Sequence, residues 1–200
     1  MRAEVRQFTV LCRARGIECW WPVEGYQSLP CPKHNPRIIT QQEMGAMIGV
    51  ADRLQDCPWA ANLSLTYGML LRMLWCCGTR IGETLMLRVG DVDADQQVIT
   101  IRHAKAGKTR LVPMSASLAE HAIGYARQTG VQNDPGSWFY PGSHSGHLSH
   151  SAAHRRIHLI MREAGVTVDG LRPARVHDIR HSSAVAMYVS SMALASRPCP

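Results

Sequence analysis

Three short segments hold side chains able to act together on a phosphate ester: Gly78-Thr79-Arg80-Ile81-Gly82-Glu83, Lys105-Ala106-Gly107-Lys108-Thr109-Arg110 and His177-Asp178-Ile179-Arg180-His181. Breaking a phosphodiester builds negative charge on its non-bridging oxygens. Arginine suits that charge, because its planar fork donates two hydrogen bonds to a phosphate and keeps its proton. Glu83, three positions after Arg80, can reach back to fix the arginine's rotamer. His177 and Arg180, also three apart, share one face of a helix, and an imidazole there can accept or pass a proton near neutral pH. His181 points elsewhere on that helix. The departing 5′-hydroxyl of a cut strand needs an acid, for which Lys105 on a turn is the candidate, while Lys108 and Arg110 read as contacts to backbone phosphates. Each segment alone also fits an ordinary surface: an Arg–Glu helix pair, a structural His-x-x-Arg, a solvated basic turn.

The elements that must position these residues follow from spacing. Thr40-Gln41-Gln42-Glu43 has the form of a capping box, with Met44, Met47, Ile48, Ala51 and Leu54 at helical intervals behind it. A second helix is predicted from about Asn62 to Cys77, striped by Leu63, Tyr67, Leu70, Leu74 and Cys77, with Gly78 suited to its left-handed end. Arg80 therefore lies just beyond a helix end, beside free backbone N–H groups, and a short helix over 81–87 follows. From Arg88 to Met114 the period becomes two: Val98, Thr100 and Arg102 alternate with Ile99 and Ile101, and Leu111-Val112-Pro113 answers across a turn near Ala106-Gly107. Ser117-Leu118-Ala119-Glu120 reads as a second capping box, opening a helix to about Gln128, and 133–137 as a loop. A helix from Ser151 to Ala164, closed by Gly165, presents Arg155 and Arg156 toward nucleic acid, and the last helix starts near His177. Ahead of all this, residues 3–15 place Val5, Phe8 and Cys12 on one helical face up to Gly16. Residues 17–39, with Pro22, Pro30, Pro32 and Pro36, read as an extended linker holding a domain boundary.

With 46% apolar residues, 200 residues suffice for one well-cored domain and a small appendage. A net charge of +7 and a pI of about 9.3 favour polyanionic partners, nucleic acid first. No run approaches the roughly 18–20 apolar residues of a membrane span, and the N-terminus lacks a signal-peptide core. A soluble, cytoplasmic protein without a membrane partner is expected. Seven cysteines without a framework read as reduced thiols, mostly buried.

Taken in order, CGTRIGETLMLRVGDVD, KAGKTRLVPM and HDIRH resemble the first arginine box, the β-hairpin lysine box and the His-x-x-Arg box of the tyrosine recombinase (phage integrase) family. The resemblance runs from Thr40 to His181. It implies an α+β fold, a mostly helical catalytic domain with a small antiparallel β-sheet over 37–200, preceded over 1–36 by a remnant of the helical core-binding domain plus linker. It further implies that Arg80 and Arg180 clamp the scissile phosphate of double-stranded DNA, that Lys105 is the general acid, that His177 assists proton transfer and that Glu83 supports Arg80. No metal or cofactor is implied, since the arginines supply the positive charge; a homo-oligomer on the DNA stays open. The family's nucleophile is a tyrosine that attacks the phosphate to give a 3′-phosphotyrosyl link.

Here the pattern departs. No Leu-Gly-His motif follows Arg180, and the only later tyrosine, Tyr188, lies on the same helix and reads as a core aromatic. Residues 192–200 show no helical stripe. The expectation is a catalytic domain lacking its C-terminal part, which binds DNA without a nucleophile of its own. Two other readings stand beside it: a non-catalytic DNA-binding protein, and a metal-binding module built on His144, His147, His150, His154 and His158 or on Cys31 and His34.

Overall fold

The computed structural model of the chain describes residues 9–18, 36–58, 60–102, 108–142, 146–166 and 173–195. The chain divides into two units, Met1–Asn35 and Pro36–Pro200. In the first, residues 9–14 are helical and the chain leaves that helix at Gly16, whose φ of +70° suits glycine. Val5, Phe8 and most of the proline-rich segment lie outside the described residues.

The second unit is α+β and mostly helical. Its elements are α1 (Gln41–Ala51), α2 (Leu63–Cys77), α3 (Ile81–Leu85), β1 (Val92–Asp93), β2 (Val98–Ile101), β3 (Arg110–Pro113), α4 (Ala116–Thr129), α5 (His150–Glu163) and α6 (Val176–Ala195). The strands form one antiparallel sheet in the order β1-β2-β3, with Ile99 opposite Val112 and Ile101 opposite Arg110. Alternation along β2 sends Ile99 and Ile101 into the core, at 0% and 1% exposure.

Helix α2 is the spine. It is buried nearly all round, through Leu63, Tyr67, Met69, Leu70, Leu71, Met73 and Leu74, as a central helix must be. Helices α1, α4 and α6 pack against it. Its N-terminus is capped from a distance: Asn62 takes a left-handed φ of 57° and caps nothing, while the Asp56 carboxylate accepts from the N–H groups of Asn62 and Leu63, each at 2.9 Å. At the other end Gly78, φ +55°, donates its N–H to Leu74 O and turns the chain out of the helix.

The Thr40–Glu43 capping box forms in full, with Thr40 Oγ1 accepting from Glu43 N at 3.1 Å and Glu43 Oε2 from Thr40 N at 2.8 Å. Several expectations need correction. Ser115, not Ser117, caps α4, accepting from Leu118 N at 3.2 Å; starting there puts Leu118, Ala119, Ala122 and Tyr125 on the buried face. Helix α3 stops at Leu85 because Leu87 leaves for the core and pairs its carbonyl with Phe139 N. Helix α6 runs through Met192 to Ala195, where no helix was expected. Of the four described cysteines only Cys12 is buried; Cys57 and Cys77 are partly exposed and Cys76 is exposed. Tyr188 is 64% exposed and no part of the core; of the described side chains of α6 beyond Ser183, Ala186 is partly buried and the others are exposed.

Candidate active site

Two helix ends are bolted together at Gly78. From α6, Arg180 donates through Nη1 to Gly78 O at 2.5 Å, across 102 positions of sequence. One turn on, Ser183 Oγ donates to Trp75 O at 2.5 Å in the last turn of α2. Ser182, buried at 1%, accepts from Ile39 N at 2.7 Å and donates to Asp178 O at 2.7 Å. Asp178 in turn accepts from Arg175 N at 2.9 Å, closing the first turn of α6. The helix bearing Arg180 is thus tied to the segment just before Arg80 by the Ser183 hydroxyl and the arginine itself, and to Ile39 by Ser182.

Arg80 follows at the entrance of α3, where Thr79 and Thr84 hydroxyls share a buried 2.7 Å hydrogen bond. Glu83 does reach back: Oε1 accepts from Arg80 Nη1 at 2.8 Å and Oε2 from Arg80 N at 3.1 Å. It also holds a partner that spacing did not announce. Arg110, the first residue of β3, donates Nη2 to Oε2 at 2.7 Å and Nη1 to Oε1 at 3.3 Å. Burial raises the Glu83 carboxyl, but the hydrogen bonds from Arg110 and Arg80 outweigh it and leave the group below its ordinary range.

The electrostatics mark one cluster. Arg180 is pressed below its ordinary value first by burial, then by the nearby guanidinium groups of Arg80 and Arg110, with Glu83 acting the other way. Two guanidinium groups hold the one carboxylate and Arg180 adds a third positive charge to the neighbourhood, an excess that an anion would relieve. His177 is lowered by burial, then by His181, Arg180 and Arg175, against Asp178. Its ring lies 4.8 Å from that of His181, edge to face. A neutral imidazole beside arginines is a proton acceptor.

The chain belongs to the phage integrase family. The family's model matches residues 37–196. Among curated relatives, the chain is 32% identical over 149 residues to an integrase/recombinase, y4rB, of Sinorhizobium fredii, covering 70% of this chain and 45% of that protein. It is 28% identical over 153 residues to the tyrosine recombinase XerC of Rhizobium meliloti, covering 76% and 46%. The chain thus spans about half the length of these relatives. Among solved structures, this phage integrase domain superposes on the XerA recombinase with a TM-score of 0.64 at 18% identity, over 92% of this chain and 59% of that one. It superposes on the XerH site-specific recombinase bound to its difH substrate with a TM-score of 0.63 at 18% identity, over 78% and 44%.

Not every residue named from sequence joins the cluster. Lys105 and the turn at Ala106-Gly107 lie outside the described residues, as do His144, Cys31 and His34; Lys108 is exposed at the hairpin's edge. Arg155 and Arg156 line a groove of about 460 Å³ with Asn62, Tyr67 and Leu159. That groove is at the start of α2, whereas Arg80 and Arg180 sit past the other end of this 15-residue helix. His150, His154 and His158 stack along α5, their ring centroids 4.3 and 6.1 Å apart. Among the described residues no three His, Cys, Asp or Glu side chains gather as a metal site. No described helix is long and apolar enough to cross a membrane.

The described tyrosines divide clearly. Tyr67, Tyr125 and Tyr140 are at most 3% exposed. Tyr125 donates to Phe139 O at 2.9 Å, and burial pushes its hydroxyl up to about 12. Burial likewise raises Tyr67, and Tyr140 well above the ordinary phenol range. These three are core phenols. Tyr188 lies eight positions beyond Arg180, ~12 Å along the axis of the same helix.

Proposed function

We propose that this phage integrase domain works in DNA integration or site-specific recombination, binding duplex DNA with Arg80 and Arg180 on one phosphate. The observation that carries the reading is the bond from Arg180 to the carbonyl two residues before Arg80, which leaves Arg180 close enough for the Arg80 and Arg110 charges to act on it. Glu83 orients Arg80, and His177 exchanges the proton of a reacting hydroxyl. Lys105 is the acid for the 5′-hydroxyl. Lys108, Arg155 and Arg156 contact backbone phosphates away from the scissile one. Support comes also from XerH, of the same fold, whose structure holds its difH substrate. On this reading the protein works in the cytoplasm, where copies assemble on the DNA.

The reading assigns no nucleophile to the four described tyrosines. Three are protonated core phenols, and Tyr188 stands well beyond the arginines along α6. Two measurements test it. Affinity for unrelated duplexes should fall steeply with salt, because phosphate contacts dominate. A nicked suicide substrate should yield no denaturation-resistant adduct through Tyr188; an adduct abolished by Tyr188→Phe would overturn that assignment, and salt-insensitive or absent binding would overturn the reading as a whole.

A further inference from the structure

The β2–β3 hairpin stands on two feet, and each foot is an arginine clipped to a carboxylate, one buried and one partly buried. Arg102, just after β2, donates Nε to Asp91 Oδ1 at 2.5 Å, with the Asp91 side chain 3% exposed. Arg110, opening β3, grips Glu83, whose side chain is 10% exposed. Asp91 is itself held by its own turn, accepting from Arg88 N at 2.9 Å. Glu83 differs because it is shared. Each of its oxygens accepts one bond from Arg80 and one from Arg110, so its acceptor positions are filled and neither arginine can shift without disturbing the other.

We infer that Arg110 is a positioning residue, which ties the base of the β2–β3 hairpin to Arg80 through the common carboxylate of Glu83. The inference rests on the proposed function only in taking Arg80 to be a phosphate ligand. Bidentate Arg–carboxylate pairs are geometrically specific as well as strong. With Glu83 between them, the fork of Arg110 fixes the start of β3, with Lys108 just before it, in register with the first arginine. A basic residue in this stretch would ordinarily be read as a phosphate contact, which is how the sequence presents it. In the structure, however, its guanidinium is spent on a carboxylate and only about a third of the side chain is exposed.

The two roles are separable by experiment. In DNA-free protein, the Glu83 carboxyl titration followed by carbon-detected NMR should move up in Arg110→Gln and recover in part in Arg110→Lys, which keeps a charge but not the fork. In a salt series on duplex DNA, Arg110→Gln should lose at least fivefold in affinity with an unchanged slope, whereas Lys108→Ala should lower the slope by about 0.9, one phosphate's worth. In a Glu83→Gln background, Arg110→Gln should cost nothing more. The inference is overturned if Arg110→Gln leaves the Glu83 titration in place, if it lowers the salt slope by one contact, or if its cost is undiminished without the Glu83 charge. Should wild-type protein fail to bind DNA at all, the proposed function falls, while the NMR titration still decides whether Arg110 governs Glu83.

Discussion

Replacing Arg180 by glutamine should damage DNA binding far more than folding. The substitution removes a charged donor from Gly78 O, and hydrogen bonds to charged groups contribute ~1.5–3 kcal/mol. Arg180 is only partly buried, so solvent screening places the loss at the lower end. Against that loss stands relief: Arg80 and Arg110 both disfavour the Arg180 charge, and like charges near a solvated surface repel by on the order of 1 kcal/mol. The net change in stability should stay within ~1 kcal/mol, or a melting shift of roughly 2–4 °C for a chain of this size. On DNA nothing offsets the loss. A forked hold on one phosphate disappears, and the loss of even one charged hydrogen bond should lower affinity roughly 10- to 150-fold and the salt slope by ~0.9. Arg180→Lys should keep the slope and lose only part of the affinity, since the charge remains and the fork does not. Fluorescence anisotropy over a salt series, beside thermal melts, reads both quantities. A well-folded Arg180→Gln protein that binds DNA within threefold of wild type, with the same slope, would refute the reasoning.

Other consequences follow from the same geometry. Ser182→Ala removes a hydroxyl that serves Ile39 N and Asp178 O in the core, and denaturant melts should show a loss of ~1–3 kcal/mol. Gly78→Ala sets a Cβ 3.2 Å from Ser183 Oγ at a φ of +55°; it should destabilise by ~1 kcal/mol or more and weaken DNA binding by misplacing Arg80, measurable in the same assays. Glu83 has a depressed carboxyl in the fold, so it contributes stability that is present above the ordinary glutamate range near ~4.3 and lost as pH falls through the lower folded value. The acid limb of the stability profile should therefore be flatter in Glu83→Gln. His177 is lowered in the free protein, and a bound phosphate favours its charged form. DNA should raise its titration, and affinity should climb as pH drops below ~6.5, with a smaller climb in His177→Gln.

The parts of this domain that spacing revealed are those whose partners lie within one turn. Thr40 and Glu43 cap each other across three residues, Gly78 ends α2 where a left-handed residue is needed, and Glu83 finds Arg80 one turn back. Where two local signals competed, the stronger-looking one misled: Ser117 had a glutamate three residues on, yet Ser115 caps α4 because that start aligns the apolar face with the core. Tyr188 shows another limit. An apolar residue on a helix reads as core, but burial requires a neighbour, and residues 187–192 of α6 are exposed. Contacts spanning 27 to 143 positions, such as Arg110 with Glu83 and Ser182 with Ile39, leave no periodic trace and became visible only in the fold.

The most direct test of convergence needs no DNA and no knowledge of a target site. Inorganic phosphate titrated into protein labelled with nitrogen-15 in arginine should shift the Nε–Hε resonances of Arg80 and Arg180 along one saturation curve, with one dissociation constant. Arg180→Gln should abolish the response of Arg80, and Arg80→Gln that of Arg180. Two different constants, or an Arg80 response that survives the loss of Arg180, would mean that the two arginines do not share a phosphate.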